Sequence, residues 1–400
     1  MKIIKGGVTT PKGFLAGAVS CGIKKSGKRD LALLYSKVLC IATGAFTTNK
    51  VKSGSVVLCI ERLKKGISQG VIVNSGNANC CVGKKEIKDA REITDAISAK
   101  LEIKKDLMLM ASTGIIGRPL PVDKIKKGLN RLIKDLSKSN GTNFAKAIMT
   151  TDTVYKEIAV KINIKGKVVK IAGAVKGAGM ICPDMATMLA FFTTDAAIEK
   201  EALKQAFRGA IYDSFNKITV DGDMSTNDSA VMFANAMAGN KIIKKNSKDY
   251  TVFLEAVKFA ARELSRKIVL DGEGAAKFIE IIVKGARTEN AAGLAARRIA
   301  NSSLVKTMIA GGDPNWGRIA AAVGSSGADI NPWRMDIYFG NIPVMKNGAG
   351  VNVSRGLLLN IFKKKEIKIT VDLKSGKFSN RVWTCDFTEE YVKINTEYET

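Results

Sequence analysis

The 400-residue sequence contains no histidine. This absence excludes Ser-His-Asp and Cys-His nucleophile pairs, H-E-x-x-H metal sites, Cys2His2 zinc fingers and a histidine general base. An enzyme with this sequence that works near neutral pH must take its base from a carboxylate, a lysine of lowered pKa, a metal-bound hydroxide or an α-amino group.

Paired cysteines and long apolar runs are absent as well. The seven cysteines include no C-x-x-C pair and their number is odd, so neither a disulfide framework nor a zinc ribbon is predicted. No apolar run reaches about 18 residues, and the first 14 residues lack the apolar core of a signal peptide. We therefore expect a cytoplasmic protein with no membrane partner.

Acidic residues are few compared with basic ones. The 64 Lys and Arg against 37 Asp and Glu give a net charge of +27, and residues 1–186 hold 34 basic against 13 acidic residues. The lysines of this half fall in short groups without interleaved aromatic residues, which favours a solvated surface and predicts no nucleic-acid partner. A non-enzymatic nucleic-acid binder is the alternative that rests on charge alone.

The length and the 46% hydrophobic content predict two to three domains with substantial cores. Apolar runs that end in turn residues predict strands at 31–35, 56–60, 71–73, 107–110, 335–339 and 367–373. Apolar and polar residues alternate on both sides of Lys165-Gly166, which predicts a hairpin over 157–172 with its turn at these two residues. Helical periodicity predicts helices at 85–100, 122–137, 200–215, 250–267 and 290–308, so the chain is mixed α and β.

Five segments crowd glycine, small hydroxyl residues and amides, at 71–78, 110–117, 176–191, 219–228 and 311–318. The second offers a hydroxyl and an adjacent flexible amide at the end of a strand, as an oxyanion site requires. In the third, Thr187 follows the small Ala186 where a glycine loop enters an apolar run, so its hydroxyl could reach the preceding carbonyl.

The last two segments are less specific. The fourth begins like a calcium loop but lacks glycine at its sixth position and has Met232 where the bidentate glutamate should stand, so it is not an EF-hand. The fifth fits either an anion site or a structural cap at a helix N-terminus.

Taken in order, these segments resemble the ornithine acetyltransferase (glutamate N-acetyltransferase) family of arginine biosynthesis. The resemblance runs from end to end, and it includes T-P-K-G-F at 10–14, M-T-T-D-T at 149–153, D-G-E-G-A at 271–275 and Y-V-K-I-N-T-E-Y-E-T at 391–400. It implies an α+β fold, a four-layer α/β/β/α sandwich like that of N-terminal-nucleophile hydrolases with a smaller C-terminal α/β portion.

The resemblance also implies that the chain cuts itself between Ala186 and Thr187. An α chain, 1–186, and a β chain, 187–400, would then assemble as an α2β2 heterotetramer. Thr187 would take the acetyl group from N2-acetylornithine and pass it to glutamate. This chemistry fits a sequence without histidine, because the new α-amino group, with an ordinary pKa of about 7.7 to 8, places a base on the nucleophilic residue itself.

By the same resemblance, the Thr113 hydroxyl and the Gly114 N–H form the oxyanion hole. The residues that match substrate-binding positions are Thr153, Lys176, Thr187, Glu273, Asn395 and Thr400. Lys176 would be the cation that binds an α-carboxylate. The negative charge of Glu273 suits this residue to bind the cationic end of ornithine.

Neither a metal nor a cofactor is expected, and acetyl-CoA as a second acetyl donor is left open. The chain has Asp184 and Met224 where the family commonly has asparagine and threonine, and Asp184 lies three residues before the expected cleavage point. A self-processing aminopeptidase or amidase, in which water replaces glutamate as the acceptor, is the alternative function.

Overall fold

A computed structural model describes residues 1–182 and 188–397 of the chain. Its contacts divide the chain into two compact units. Unit 1 comprises Met1–Asn216 and Asp223–Ile268, and unit 2 comprises Lys217–Gly222 and, of the described residues, 269–397. The predicted site residues Ala186, Thr187 and Thr400 lie outside the described residues, as does Asp184.

Unit 1 is built on one large sheet. Its described strands are β1 (Lys2–Ile4), β2 (Phe14–Val19), β3 (Leu31–Phe46), β4 (Ile67–Asn77), β5 (Met108–Ile115), β6 (Lys156–Ile164), β7 (Lys167–Lys176), β8 (Leu189–Thr194) and β9 (Ser229–Ala234). They are ordered β1-β6-β7-β8-β9-β3-β4-β5, with β2 paired to β3. The β4–β5 and β8–β9 pairs are parallel, and the others are antiparallel.

Side chains that alternate along β4 and β5 face two different core clusters of unit 1. Its helices are α1 (Gly54–Arg62), α2 (Lys85–Lys100), α3 (Val122–Lys134), α4 (Gly141–Ala147), α5 (Lys200–Tyr212) and α6 (Lys248–Leu270). Met110 faces a cluster with Ile93 of α2 and Leu129 of α3. Leu109 faces a second cluster with Phe144 of α4. Since side chains alternate along a strand, residue 113 lies on the α4 side of the sheet.

Unit 2 contains a second sheet with its own core. The strands are β10 (Phe278–Ala286), β11 (Asp336–Phe339), β12 (Ile342–Lys346), β13 (Ala349–Gly350), β14 (Glu366–Asp372) and β15 (Phe378–Cys385), in the order β13-β12-β11-β14-β10-β15. The helices are α7 (Glu289–Ala300), α8 (Ser303–Gly311), α9 (Gly317–Gly324), α10 (Arg355–Phe362) and α11 (Glu389–Thr396). The predicted α+β class, with sheets in both parts and a smaller C-terminal portion, is confirmed.

Three local predictions differ from the structure. The run 56–60 is not a strand but lies in α1, because Ser53 caps the helix by accepting from the Val56 N–H and the buried Arg62 anchors its end on the Met108 carbonyl. The span 290–308 is two helices, because α7 ends at its C-cap Asn301 and Ser302 starts α8 by accepting from the Val305 N–H. The glycine segments 74–77 and 111–114 continue β4 and β5 as strand.

Candidate active site

The ends of β4 and β5 bring two glycines into direct contact. The parallel register places Ser75 opposite Thr113 and Gly76 opposite Gly114. Gly114 has φ of +131°, and a Cβ there would lie 2.3 Å from the Gly76 carbonyl carbon. Any larger residue would therefore be strained and would force the strands apart. Gly114, one of the two predicted oxyanion residues, thus stands at a backbone position that only glycine fits.

Lys176 is the last residue of β7, and its side chain reaches the end of β5. Its Nζ donates a hydrogen bond to the Thr113 hydroxyl oxygen at 3.2 Å, and the residue is only 9% exposed. Because an ammonium group has no lone pair to accept with, the Thr113 oxygen is the acceptor, and its own hydrogen remains available to donate. The arrangement gives a hydroxyl donor polarised by a buried cation, so the structure brings together two of the predicted site residues.

Asp152 fixes the backbone on the other side of Lys176. Its Oδ1 accepts from the Gly177 N–H at 2.7 Å and from Lys156 Nζ at 2.6 Å, and its Oδ2 accepts from the Thr150 N–H at 3.1 Å. Burial opposes ionisation of Asp152, but the charges of Lys176 and Lys156 and the Gly177 hydrogen bond hold the pKa of the carboxyl below its usual value. The predicted residue Thr153 follows directly and is exposed.

The described residue nearest the predicted cleavage point is Met188. It is buried, and its carbonyl accepts from the Ser229 N–H at 3.0 Å. Leu189, the next residue, pairs with Lys176 in the β7–β8 register. The chain that follows residue 187 is therefore held at the end of the sheet that carries Lys176.

Asn227 supports β5 from segment 219–228, the one that begins like a calcium loop. Its amide donates to the Ser112 carbonyl at 2.8 Å and to the Ala78 carbonyl at 2.6 Å. In the same segment, the Met224 carbonyl accepts from the Asn49 side chain at 3.2 Å. Sequence reasoning assigned no role to Asp152 or Asn227, although both lie in segments that it quoted.

Glu273 and Asn395 meet in unit 2. Asn395 Nδ2, on the last turn of α11, donates to Glu273 Oε2 at 2.9 Å and to the Tyr391 carbonyl at 3.0 Å. The start of α11 rests on Gly274, where a Cβ would lie 2.4 Å from the Tyr391 nitrogen, and the Thr388 hydroxyl donates to the Gly274 carbonyl at 2.7 Å. Glu273 is buried and Asn395 is exposed.

Two S-x-x-K matches in the sequence offer a Ser-Lys pair, and the structure contradicts both. The Ser214 hydroxyl donates to the Ala210 carbonyl, while Lys217 donates to the Asn380 side chain. Ser303 is exposed, whereas Lys306 is buried and donates to the Thr384 hydroxyl. Neither serine has its lysine as a partner.

Within residues 1–182 and 188–397, no three acidic or cysteine side chains are grouped so that they could hold a metal ion. In the same part of the chain, every helix is too short or too polar to cross a bilayer.

Comparison with known proteins shows similarity over the whole chain. The ArgJ family model matches residues 15–400. "Arginine biosynthesis bifunctional protein ArgJ" of Caldanaerobacter subterraneus subsp. tengcongensis is 48% identical, and "Glutamate N-acetyltransferase" of Methanocaldococcus jannaschii is 44% identical, with 100% of both chains covered in each case. The crystal structure of "Arginine biosynthesis bifunctional protein argJ" from Bacillus halodurans is 40% identical with a TM-score of 0.51, and the match covers 53% of this chain and 100% of that one. The chain belongs to the ArgJ family.

Proposed function

We propose that this chain transfers an acetyl group from N2-acetylornithine to glutamate through an acetyl ester of Thr187, which self-cleavage after Ala186 exposes. Membership of the ArgJ family makes the chain an acyltransferase of arginine biosynthesis. The observation that carries the residue-level proposal is the buried Lys176 ammonium donating to the Thr113 hydroxyl beside Gly114. A directed hydroxyl and a strand-end amide supply the donor pair that acyl transfer needs.

Acetylation of Thr187 is the first half of the reaction. The α-amine of Thr187 takes the hydroxyl proton as the oxygen attacks the acetyl carbonyl of N2-acetylornithine. The Thr113 hydroxyl and the Gly114 N–H donate to the oxyanion, and each such donor typically lowers the barrier by about 3 kcal/mol. When the C–N bond breaks, the α-ammonium returns its proton to the leaving amine of ornithine.

Deacylation reverses these roles. The neutral amine of glutamate attacks the acetyl ester, its proton passes to the Thr187 α-amine, and the Thr187 oxygen leaves and takes that proton back. Water attacking the same ester would give acetate instead, which is the amidase alternative. The acceptor therefore decides between the two functions.

Substrate binding uses charges of both signs. Lys176 and Thr153 would hold the α-carboxylate, since ammonium–carboxylate hydrogen bonds are among the strong ones. Glu273, kept in place by Asn395, would hold the cationic end of ornithine, and Thr400 completes the set. The proposed mechanism uses no metal or cofactor. Whether acetyl-CoA is a second acetyl donor is decided by the assay described next.

The test is acetyl transfer by purified wild-type protein and by Thr187→Ala. Wild type should split at Ala186/Thr187 and form N-acetylglutamate, whereas Thr187→Ala should stay intact and lose transfer at least about 10³-fold. An intact Thr187→Ala protein with wild-type activity would overturn the proposal. Acetate release unaffected by glutamate would favour the amidase, and product formation from acetyl-CoA and glutamate would establish the second donor.

The two fragments would stay together as an α2β2 assembly in the cytoplasm. The family resemblance supports this assembly, and light scattering on the cleaved protein tests it. The expected mass is twice the 42.9 kDa of one chain, and a mass equal to one chain would contradict it.

A further inference from the structure

A buried carboxylate folds the loop between β2 and β3. Asp30 accepts hydrogen bonds from the backbone N–H groups of Cys21, Ile23 and Lys24 at 2.6, 2.7 and 3.1 Å. It is fully buried, so these bonds satisfy a carboxylate that water cannot reach. The backbone of Lys24 is therefore held in place.

The Lys24 ammonium uses three backbone carbonyls as acceptors. Nζ donates to Met149 O at 2.7 Å, to Arg29 O at 3.1 Å and to Ala147 O at 3.5 Å. Ala147 is the last residue of α4, where carbonyls lack helical partners and a cation is favoured. Through Met149, the ammonium holds the chain that leads directly to Asp152.

The side-chain stem of Lys24 lies against the glycine pair. A Cβ on Gly76, whose φ is +102°, would lie 3.1 Å from Lys24 Cγ. On its other side Gly76 contacts Gly114, where a Cβ would be 2.3 Å from its carbonyl carbon. The adjacent Ser75 hydroxyl donates to Ala147 O at 2.6 Å, the same carbonyl that Lys24 contacts. One side chain therefore touches both the glycine pair and the turn that precedes Asp152.

Charges face Lys24 from three directions. Asp30 and Lys28 lie in its own loop, Asp152 in the turn after α4, and Lys176 at the end of β7. Burial is the main cause that lowers the pKa of the Lys24 ammonium to about 8; Lys176 and Lys28 act in the same direction, and Asp30 and Asp152 oppose the shift. The ammonium thus titrates within the working range of an α-amine base.

We propose that Lys24 is a positioning residue of the acetyl transfer. Its ammonium holds the turn that leads to Asp152, which in turn fixes the backbone after Lys176, and its side-chain stem lies against Gly76 at the Gly76–Gly114 contact. This inference rests on the proposed function. Protonated Lys24 donates three hydrogen bonds, while the neutral amine donates only two and has no charge to attract the carbonyls at the end of α4. Activity that needs the ammonium is present below its pKa and is lost as the pH rises through that pKa. The pH–activity profile should therefore fall on its alkaline side near pH 8, and we call this fall the alkaline limb.

Three variants test this role. Lys24→Met keeps the stem on Gly76 and removes the charge, whereas Lys24→Arg keeps a charge that does not titrate in this range. Lys124→Met is the matched control, because Lys124 Nζ donates to the Gly22 carbonyl of the same loop at 3.0 Å and is exposed. Cleavage, kcat and KM would be measured for each from about pH 6 to about pH 10.

We expect Lys24→Met to lower kcat about 10-fold, with a smaller change in KM and without the alkaline limb, and Lys124→Met to match wild type. Lys24→Arg should retain activity and move the limb to higher pH. An unchanged limb in Lys24→Arg overturns the inference, even if Lys24→Met fails to fold. Wild-type protein without acetyl transfer would instead overturn the proposed function, so the two failures are distinguishable.

Discussion

The candidate residues of unit 1 and those of unit 2 are held by different means. Thr113 and Lys176 stand at the ends of β5 and β7, where strand pairing and the buried Asp152 fix the backbone. Glu273 precedes β10, and its partner Asn395 is exposed on the last turn of the eight-residue helix α11. Strand pairing places atoms more firmly than one side-chain hydrogen bond at a helix end. We therefore assign the acyl-transfer chemistry, together with binding of the α-carboxylate, to the residues of unit 1, and binding of the cationic end of ornithine to those of unit 2.

The largest expected effect comes from Asp152→Asn, which removes the carboxylate that holds Lys156 and the backbone after Lys176. The substitution removes the negative charge that lies 2.6 Å from the Lys156 ammonium, in a pair whose two side chains are both 0% exposed. Loss of one partner from such a pair costs about 3–5 kcal/mol, measured as the free energy of unfolding in urea. The exposed Asp106–Lys65 pair is the control, since Asp106→Asn should change stability by less than about 1 kcal/mol. Equal effects in the two variants would contradict the role of Asp152.

The same carboxyl predicts a pH dependence of stability. Because the pKa of Asp152 is lowered in the folded protein, its contribution is fully present above the unfolded value of about 3.9. It is lost as the pH falls through the lower folded value. The free energies of unfolding of wild type and Asp152→Asn should therefore converge in acid. A constant difference down to the lowest pH at which wild type folds would argue against a contribution from the Asp152–Lys156 ion pair.

Gly114→Ala should abolish most activity while the protein still folds. The added Cβ would lie 2.3 Å from the Gly76 carbonyl carbon, and the alanine would have to adopt a φ of +131°. The end of the strand must therefore shift. We expect kcat to fall at least about 10²-fold, since displacement of reacting groups by about 1 Å has that effect. Gly117→Ala is the matched control, because Gly117 also has a positive φ but nothing lies within 4 Å of its Cβ position. Similar activity of the two variants would show that the glycine contact does not matter.

Thr113→Val removes the hydroxyl that Lys176 polarises and keeps the side-chain shape. If that hydroxyl serves the oxyanion, kcat falls about 10²- to 10³-fold with little change in KM. Rapid-quench measurement of Thr187 acetylation isolates the affected step. A variant that loses only substrate affinity would assign Thr113 to recognition and remove the distinction between the two units.

Asn395→Ala should have the smallest effect of these variants. It removes one hydrogen bond to Glu273 at an exposed position, worth about 1 kcal/mol. We expect KM for N2-acetylornithine to rise about 5-fold with kcat nearly unchanged. A loss of kcat as large as that of Thr113→Val would place unit 2 in the chemistry as well.

Elements with strong local patterns were predictable from the sequence. Helix α2 over 85–100 and the β6–β7 hairpin at Lys165-Gly166 match their predictions because periodicity and turn residues act locally. The five-residue run 56–60 was mistaken for a strand, since so short a run shows no clear period and the Ser53 cap decides for helix.

The supporting residues of the candidate site had weaker signals. Asp152 was quoted within a motif, but its partner Gly177 lies 25 residues away. Lys24 bonds to Met149 across 125 residues, and no local pattern reports such a contact. The segment that holds Thr113 and Gly114 was an oxyanion candidate from its own residues, but only the resemblance to a family joined it with Lys176.

Mass spectrometry of the purified protein, before and after incubation with N2-acetylornithine, tests the central claim most directly. The account predicts two fragments, 1–186 and 187–400, and the addition of one acetyl group to the N-terminal residue of the second. Subsequent addition of glutamate should remove that acetyl group. An uncut chain that transfers acetyl, or an acetyl group on a residue other than Thr187, would contradict it.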